Sequence, residues 1–170
     1  MDKRVVFAVA GSGKTSHIIN SLNVDSRALI LTYTDKNLAN LKQRVLKKFG
    51  EIPSGIKIYS YFQFLYSFCV RPLLGNNLKT RGINWQVPPA FTMRLKRDNI
   101  RFYIDPNSRL YSNRIAKLLE QADVISEVVE RLEKYFDDIY IDEVQDFGRH
   151  DFNFLTQISV ANINQLFVGD

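Results

Sequence analysis

An α/β fold, a doubly wound and mostly parallel sheet with a small inserted subdomain, is what the sequence predicts. Three observations lead there. Short apolar runs at residues 5–9, 28–33, 56–59, 139–141 and 165–168 alternate with segments of helical period. These runs mostly lack polar alternation, the pattern of strands covered on both faces. The first run opens into a glycine-broken turn and then Lys14-Thr15, the strand–turn–helix order in which a parallel unit places a ligand-binding loop.

Taken in order, residues 15–22 should form the first helix, behind that loop. After the second strand, Thr34 or Asp35 is a suitable N-cap for a helix through about Phe49, with Leu38, Leu41, Val45 and Phe49 on one face. Gly50 and Pro53 end it. Ser60 should cap a helix that stops near Val70. From Arg71 to Pro89 the punctuation by Pro72, Gly75-Asn76-Asn77, Gly82 and Pro88-Pro89 suggests an insertion, placed at about 71–136, within one domain spanning 1–170. Asp105-Pro106-Asn107-Ser108 reads as a turn, and Ser112 as the cap of a helix to about Gln121. Asp123 starts another helix, striped by Ile125, Val128, Val129, Leu132 and Phe136. A last helix at about 151–160 precedes the final strand.

Composition sets outer bounds. With 170 residues, 45% hydrophobic and 24% charged, the chain has the make-up of a soluble globular protein. It shows no apolar run of membrane-spanning length and no signal-peptide pattern, so no membrane partner is expected. A single cysteine, Cys69, forms no internal disulfide. With only His17 and His150 beside it, no zinc site of paired Cys and His can be built. A reducing, cytoplasmic setting is expected. Residues 1–119 carry 20 Lys/Arg against 6 Asp/Glu, whereas 120–146 carry 10 acids against 2 bases. A basic body points to a polyanion partner, nucleic acid first, with ordinary solvated charge as the alternative.

The loop carries the first chemistry. Ala8 to Thr15 reads A-x-x-x-x-G-K-T, a phosphate-binding loop with alanine at the usual first glycine. Ala10, Gly11, Ser12, Gly13, Lys14, Thr15 and Ser16 form the candidate nucleotide-binding set. Backbone N–H groups from Gly11 to Thr15 can cradle a phosphate, and Lys14 can reach the β- and γ-oxygens. Thr15 offers a hydroxyl to Mg²⁺. Asp142, ending a buried strand, suits the carboxylate that holds the metal opposite Thr15. Glu143 suits the general base for an attacking water.

These features resemble the N-terminal motor domain of UvrD/Rep-type superfamily-one DNA helicases. Ala10 to Thr15 is similar to the family's first motif, and Leu31-Thr32-Tyr33-Thr34-Asp35-Lys36 to its next. Asp142-Glu143-Val144-Gln145-Asp146 resembles D-E-x-Q-D, and Val168-Gly169-Asp170 the opening of V-G-D. The resemblance implies a RecA-like P-loop NTPase fold, with ATP and Mg²⁺ as cofactors and an ATP-dependent helicase or translocase activity. It implies that Lys14, Glu143 and Gln145 act in catalysis, Gln145 coupling nucleotide state to the rest of the motor. It also implies that Thr32, Tyr33, Thr34 and Lys36 contact single-stranded DNA, with Tyr33 as an aromatic platform; packing at the strand end is the alternative for Tyr33. Tyr61 and Phe62 sit where the family has a further DNA-contacting segment that usually contains a histidine, absent here. The insertion corresponds to the family's accessory subdomain, whose basic stretch Arg94 to Arg101 could touch duplex or single strand.

On the same resemblance the chain is expected to be the first part of a longer helicase. A second RecA-like domain would then follow Asp170 and supply the arginines that complete the ATP site. Residues 1–170 alone should bind ATP and hydrolyse it barely above background. Partners expected with that reading are single-stranded DNA, with or without a duplex junction, and optionally a nuclease. A nucleotide-gated DNA- or protein-binding module without motor activity is the competing reading. A small P-loop kinase is a third, but no lid-like arginine run argues for it.

Overall fold

The computed structural model describes residues 3–7 and 13–170. Of the nucleotide-binding set, Ala10, Gly11 and Ser12 lie outside the described residues. In chain order the elements are β1 (Lys3–Phe7), α1 (Lys14–Ser21), β2 (Ala28–Thr32), α2 (Asp35–Phe49), β3 (Ile56–Ser60), α3 (Tyr61–Gln63) and α4 (Arg71–Leu74). They continue with β4 (Ile83–Asn84), β5 (Leu110–Tyr111), α5 (Ile115–Gln121), α6 (Ile125–Tyr135), β6 (Asp138–Ile141), α7 (Arg149–Ile158) and β7 (Asn164–Gly169). The chain divides into two compact units, 1–61 with 129–170, and 62–128.

The first unit is a five-stranded sheet in the order β1-β7-β6-β2-β3, every pair parallel. The α/β class and its parallel sheet are therefore those expected of the apolar runs. Connections from β1 through β3 advance toward one edge, while β6 to β7 steps back. With right-handed crossovers, α1 and α2 cover one face and α7 the other. The first face buries Ile18, Ile19 and Leu22 of α1 and Leu41 and Val45 of α2. They pack against Ala28, Ile30, Ile56, Ile58, Tyr140, Leu166 and Val168 of the sheet. The pleat sends Leu29, Leu31, Ile139 and Ile141 to the opposite face, and all four are buried. α1 leaves β1 toward one face and α7 leaves β6 toward the other, with β7 between those two strands, and in such sheets ligands bind at the carboxyl ends where the connections diverge.

Helix α2 follows its sequence signals closely. Thr34 is the N-cap, its hydroxyl accepting from the Asn37 N–H at 3.2 Å, and Gly50 closes the other end in the left-handed region at φ 81°. After β3 the outcome differs from expectation. Tyr61–Gln63 is α-helical, Phe64–Val70 is π-helical, and helix resumes over Arg71–Leu74, past the expected stop at Val70. Pro72 stands where the π-helical segment passes directly into α4.

The second unit is small and largely irregular. Phe64, Leu65, Phe68, Leu110, Ile115, Leu118 and Leu119 are buried, and the short β4 and β5 pair in parallel. The expected turn at residues 105–108 is organised by Asp105. Its carboxylate accepts from the Asn107 and Arg109 N–H groups, Asn84 Nδ2 and Arg109 Nε. Burial pushes its carboxyl up, but these bonds outweigh burial and hold it below the usual range. The helix after Ser112 begins with a 3-10 turn, Ser112–Arg114, before α5.

Candidate functional site

The carboxyl ends of β2, β6 and β7 bring most of the expected residues together. Gly13 is the N-cap of α1 at φ 85°, a left-handed conformation that costs glycine little, and its carbonyl accepts from the His17 N–H. Lys14 and Thr15 then open the helix. Lys14 is 8% exposed, and its ammonium donates to Asp170 Oδ1 at the end of β7. Thr15 Oγ1 donates to Asp142 Oδ2 at 3.2 Å, joining α1 to the end of β6. Ser16 Oγ accepts from Arg44 of α2 at 3.0 Å.

Asp142 is placed by the sheet. Its N–H donates to Leu31 O at 2.8 Å, continuing the β6–β2 ladder one residue beyond the strand. The residue is 2% exposed, and Oδ1 has no hydrogen-bond partner among the described residues. Burial raises its carboxyl above the ordinary value, the Thr15 hydroxyl opposes that shift, and the charge of Glu143 adds to it. A buried carboxylate oxygen with no donor is costly unless a cation completes it. One carboxylate and one hydroxyl are hard oxygen donors of the kind that suit Mg²⁺.

Glu143 turns the chain. It adopts φ 56°, ψ 52°, a left-handed conformation unusual for a residue with a β-carbon, and a 3-10 turn follows at Val144–Asp146. Gln145 links two strand ends: its Nε2 donates to Glu143 Oε2 at 2.6 Å, and its Oε1 accepts from the Asp170 N–H at 3.1 Å. The preceding Gly169 makes room for it. A β-carbon there would lie 2.6 Å from both Gln145 Oε1 and Val144 Cγ1.

The residues assigned to DNA occupy two settings. Thr32 is fully buried at the end of β2, with no partner for its hydroxyl among the described residues. Tyr33 is half-buried. Its ring stacks on Tyr61 at 6.1 Å and meets the edge of Phe147 at 5.2 Å, and its hydroxyl donates to Asp151 Oδ2 at 3.3 Å. Burial, then the Asp151 carboxylate, pushes the Tyr33 phenol up to about 12. Thr34 is engaged as the α2 cap, and Lys36 is exposed. Tyr61 is fully buried and meets Phe147 and Phe154 edge-on, so it backs Tyr33 and offers no surface to a base. Phe62 belongs to the second unit, half-buried with its ring edge-on to Trp85 at 5.0 Å.

Sequence reasoning missed three members of this constellation. Asp170 was visible only as a motif letter, and its pairing with Lys14 joins residues 156 positions apart. Phe147 and Asp151, which hold Tyr33, follow the acidic box as an ordinary aromatic and helix-start acid. Nothing in their spacing shows that the strand before them pairs with β2, whose end carries Tyr33.

What fold and geometry define together is an α/β protein with an all-parallel sheet and a polar cluster at its carboxyl edge. No protein-family profile matches the chain, and a search of curated proteins finds no matching relative. Among the described residues no helix is long and apolar enough to cross a membrane.

Proposed function

We propose that the first unit is the ATP-binding half of an ATP-driven motor that acts on single-stranded DNA, with a RecA-like P-loop NTPase fold. The observation that carries the reading is the Thr15–Asp142 contact at the head of α1, with Lys14, Glu143 and Gln145 around it. A lysine and a hydroxyl at a helix N-terminus, facing a strand-end Asp-Glu pair, is the arrangement that phosphoryl transfer from a nucleotide requires.

In this reading Lys14 exchanges the Asp170 carboxylate for the β- and γ-phosphate oxygens when nucleotide binds. Thr15 and Asp142 would hold Mg²⁺, which would neutralise charge on those phosphates. Glu143 keeps Oε2 on Gln145, leaving Oε1 to accept a proton from the attacking water. Gln145 also touches the Asp170 backbone, so release of Asp170 from Lys14 reaches Glu143 through one amide. Positive charge from a second RecA-like domain of a longer chain completes the site in this proposal. Tyr33, Thr34 and Lys36, at the same edge of the sheet, form the DNA-facing side. Tyr33 has one ring face covered by Tyr61, and stacking on a base would use the other.

Fluorescence anisotropy with a labelled oligothymidine tests the DNA half. Binding should be weak and fall steeply with salt. Lys36→Ala should lower affinity and the salt slope, and Tyr33→Ala should weaken binding by about 1–3 kcal/mol. No binding at low salt, or equal affinity of both variants and wild type, would contradict the assignment.

A further inference from the structure

Residues 85–101 of the second unit hold five of the large apolar side chains exposed on the described surface: Trp85, Val87, Phe91, Met93 and Ile100. Two short 3-10 turns, Ala90–Arg94 and Ile100–Phe102, pack on each other and present Phe91, Met93 and Ile100 at 66%, 71% and 44% exposure. Arg94, Lys96, Arg97 and Arg101 lie among them, with Asp98 the sole acid between residues 91 and 101. All four bases are exposed, and none forms an ion pair among the described residues.

The surface is braced from below. Thr92 is 2% exposed and its hydroxyl donates to Pro89 O at 2.6 Å. The buried Arg114 guanidinium lies 3.9 Å from the Phe102 ring centre, donates to the Phe102 carbonyl, and donates to Met93 Sδ at 3.3 Å. Both turns are therefore tied to one buried cation, so the backbone that presents these side chains is already ordered and only their rotamers remain to be fixed on binding.

We propose that this face is a docking surface for an acidic protein segment with apolar anchors. Charge complementarity sets the sign of the partner, four bases against one acid. The apolar content sets its class. Phe, Met and Arg together are the composition of protein interfaces. A single strand would stack on Phe91, but Met93, Val87 and Ile100 lack the aromatic faces on which single-strand binding relies. The proposal does not depend on the ATP-site reading, since every residue in it lies within the second unit.

A displayed library of random 16-residue peptides, selected on the whole chain, tests it. Selection should converge on sequences rich in Asp and Glu with Phe, Leu, Trp or Met anchors. Affinity for the selected peptides should drop at least tenfold in Phe91→Ala and in Arg97→Glu. Both side chains are exposed, so each variant should melt as wild type does. Three results would overturn the proposal. The first is convergence on neutral or basic peptides, or no convergence. The second is unchanged affinity in both variants. The third is that a labelled oligothymidine, or a second copy of the chain, binds through Phe91 and Arg97 in place of the peptides.

Discussion

Asp142 concentrates the physical tension of the site in one carboxylate. It is buried, Oδ1 has no donor among the described residues, and burial holds its folded-state pKa above that of an unfolded aspartate. Above both pKa values the ionised form therefore opposes folding, and that cost vanishes as pH falls below the unfolded value of about 3.9. Asp142→Asn should accordingly stabilise the ligand-free protein by about 1 kcal/mol at neutral pH, a rise of about 2–4 °C in melting temperature. The gain should shrink toward about pH 3–4. Calorimetric melts across pH without nucleotide or metal check this. A neutral-pH variant no more stable than wild type would show that Asp142 is already satisfied. The residue types of this site were legible, because a strand-end Asp-Glu and a Lys-Thr after a glycine turn are local signatures. Their mutual partners were not. Asp170 on Lys14, and Gly169 yielding to Gln145, arise only when β1, β6 and β7 are neighbours.

Helix α2 shows why one element can be read so well. Cap, apolar stripe and terminal glycine all act within a few residues of one another, so the signal is complete in the local sequence. The same Thr34 that starts the helix is assigned to DNA. Thr34→Ala should therefore lose about 1 kcal/mol of stability through the cap alone, whereas Thr34→Ser should keep most of it. Urea denaturation of the two variants separates the roles, and equal stability of Thr34→Ala and wild type would remove the cap from the account. The helix from Tyr61 to Leu74 is legible only in part. Buried Tyr61, Phe64, Leu65, Phe68 and Cys69 form an i, i+3, i+4, i+7, i+8 stripe, so the helix itself is legible, but nothing in that spacing marks its centre as π-helical. The widening to i→i+5 bonding and the continuation past Val70 to Leu74 are what that local pattern does not report.

At the scale of the molecule, the parallel sheet follows from apolar runs without polar alternation, whereas its order, β1-β7-β6-β2-β3, rests on pairings between strands far apart in the chain and was not legible there. The second unit was legible only as a change in punctuation. Its order depends on pairings such as Asn84 with Asp105 and Arg114 with Phe102, made between residues unremarkable in their own neighbourhoods. The central claim concerns the first unit: a nucleotide's phosphates bind at the head of α1, with Lys14 and Asp142 on either side. Isothermal titration of ATP with Mg²⁺ into the wild-type chain, Lys14→Ala and Glu143→Gln tests it most directly. The account predicts saturable binding to wild type and to Glu143→Gln, and loss of that binding in a folded Lys14→Ala. Absence of binding to wild type, or binding undiminished in Lys14→Ala, would contradict it.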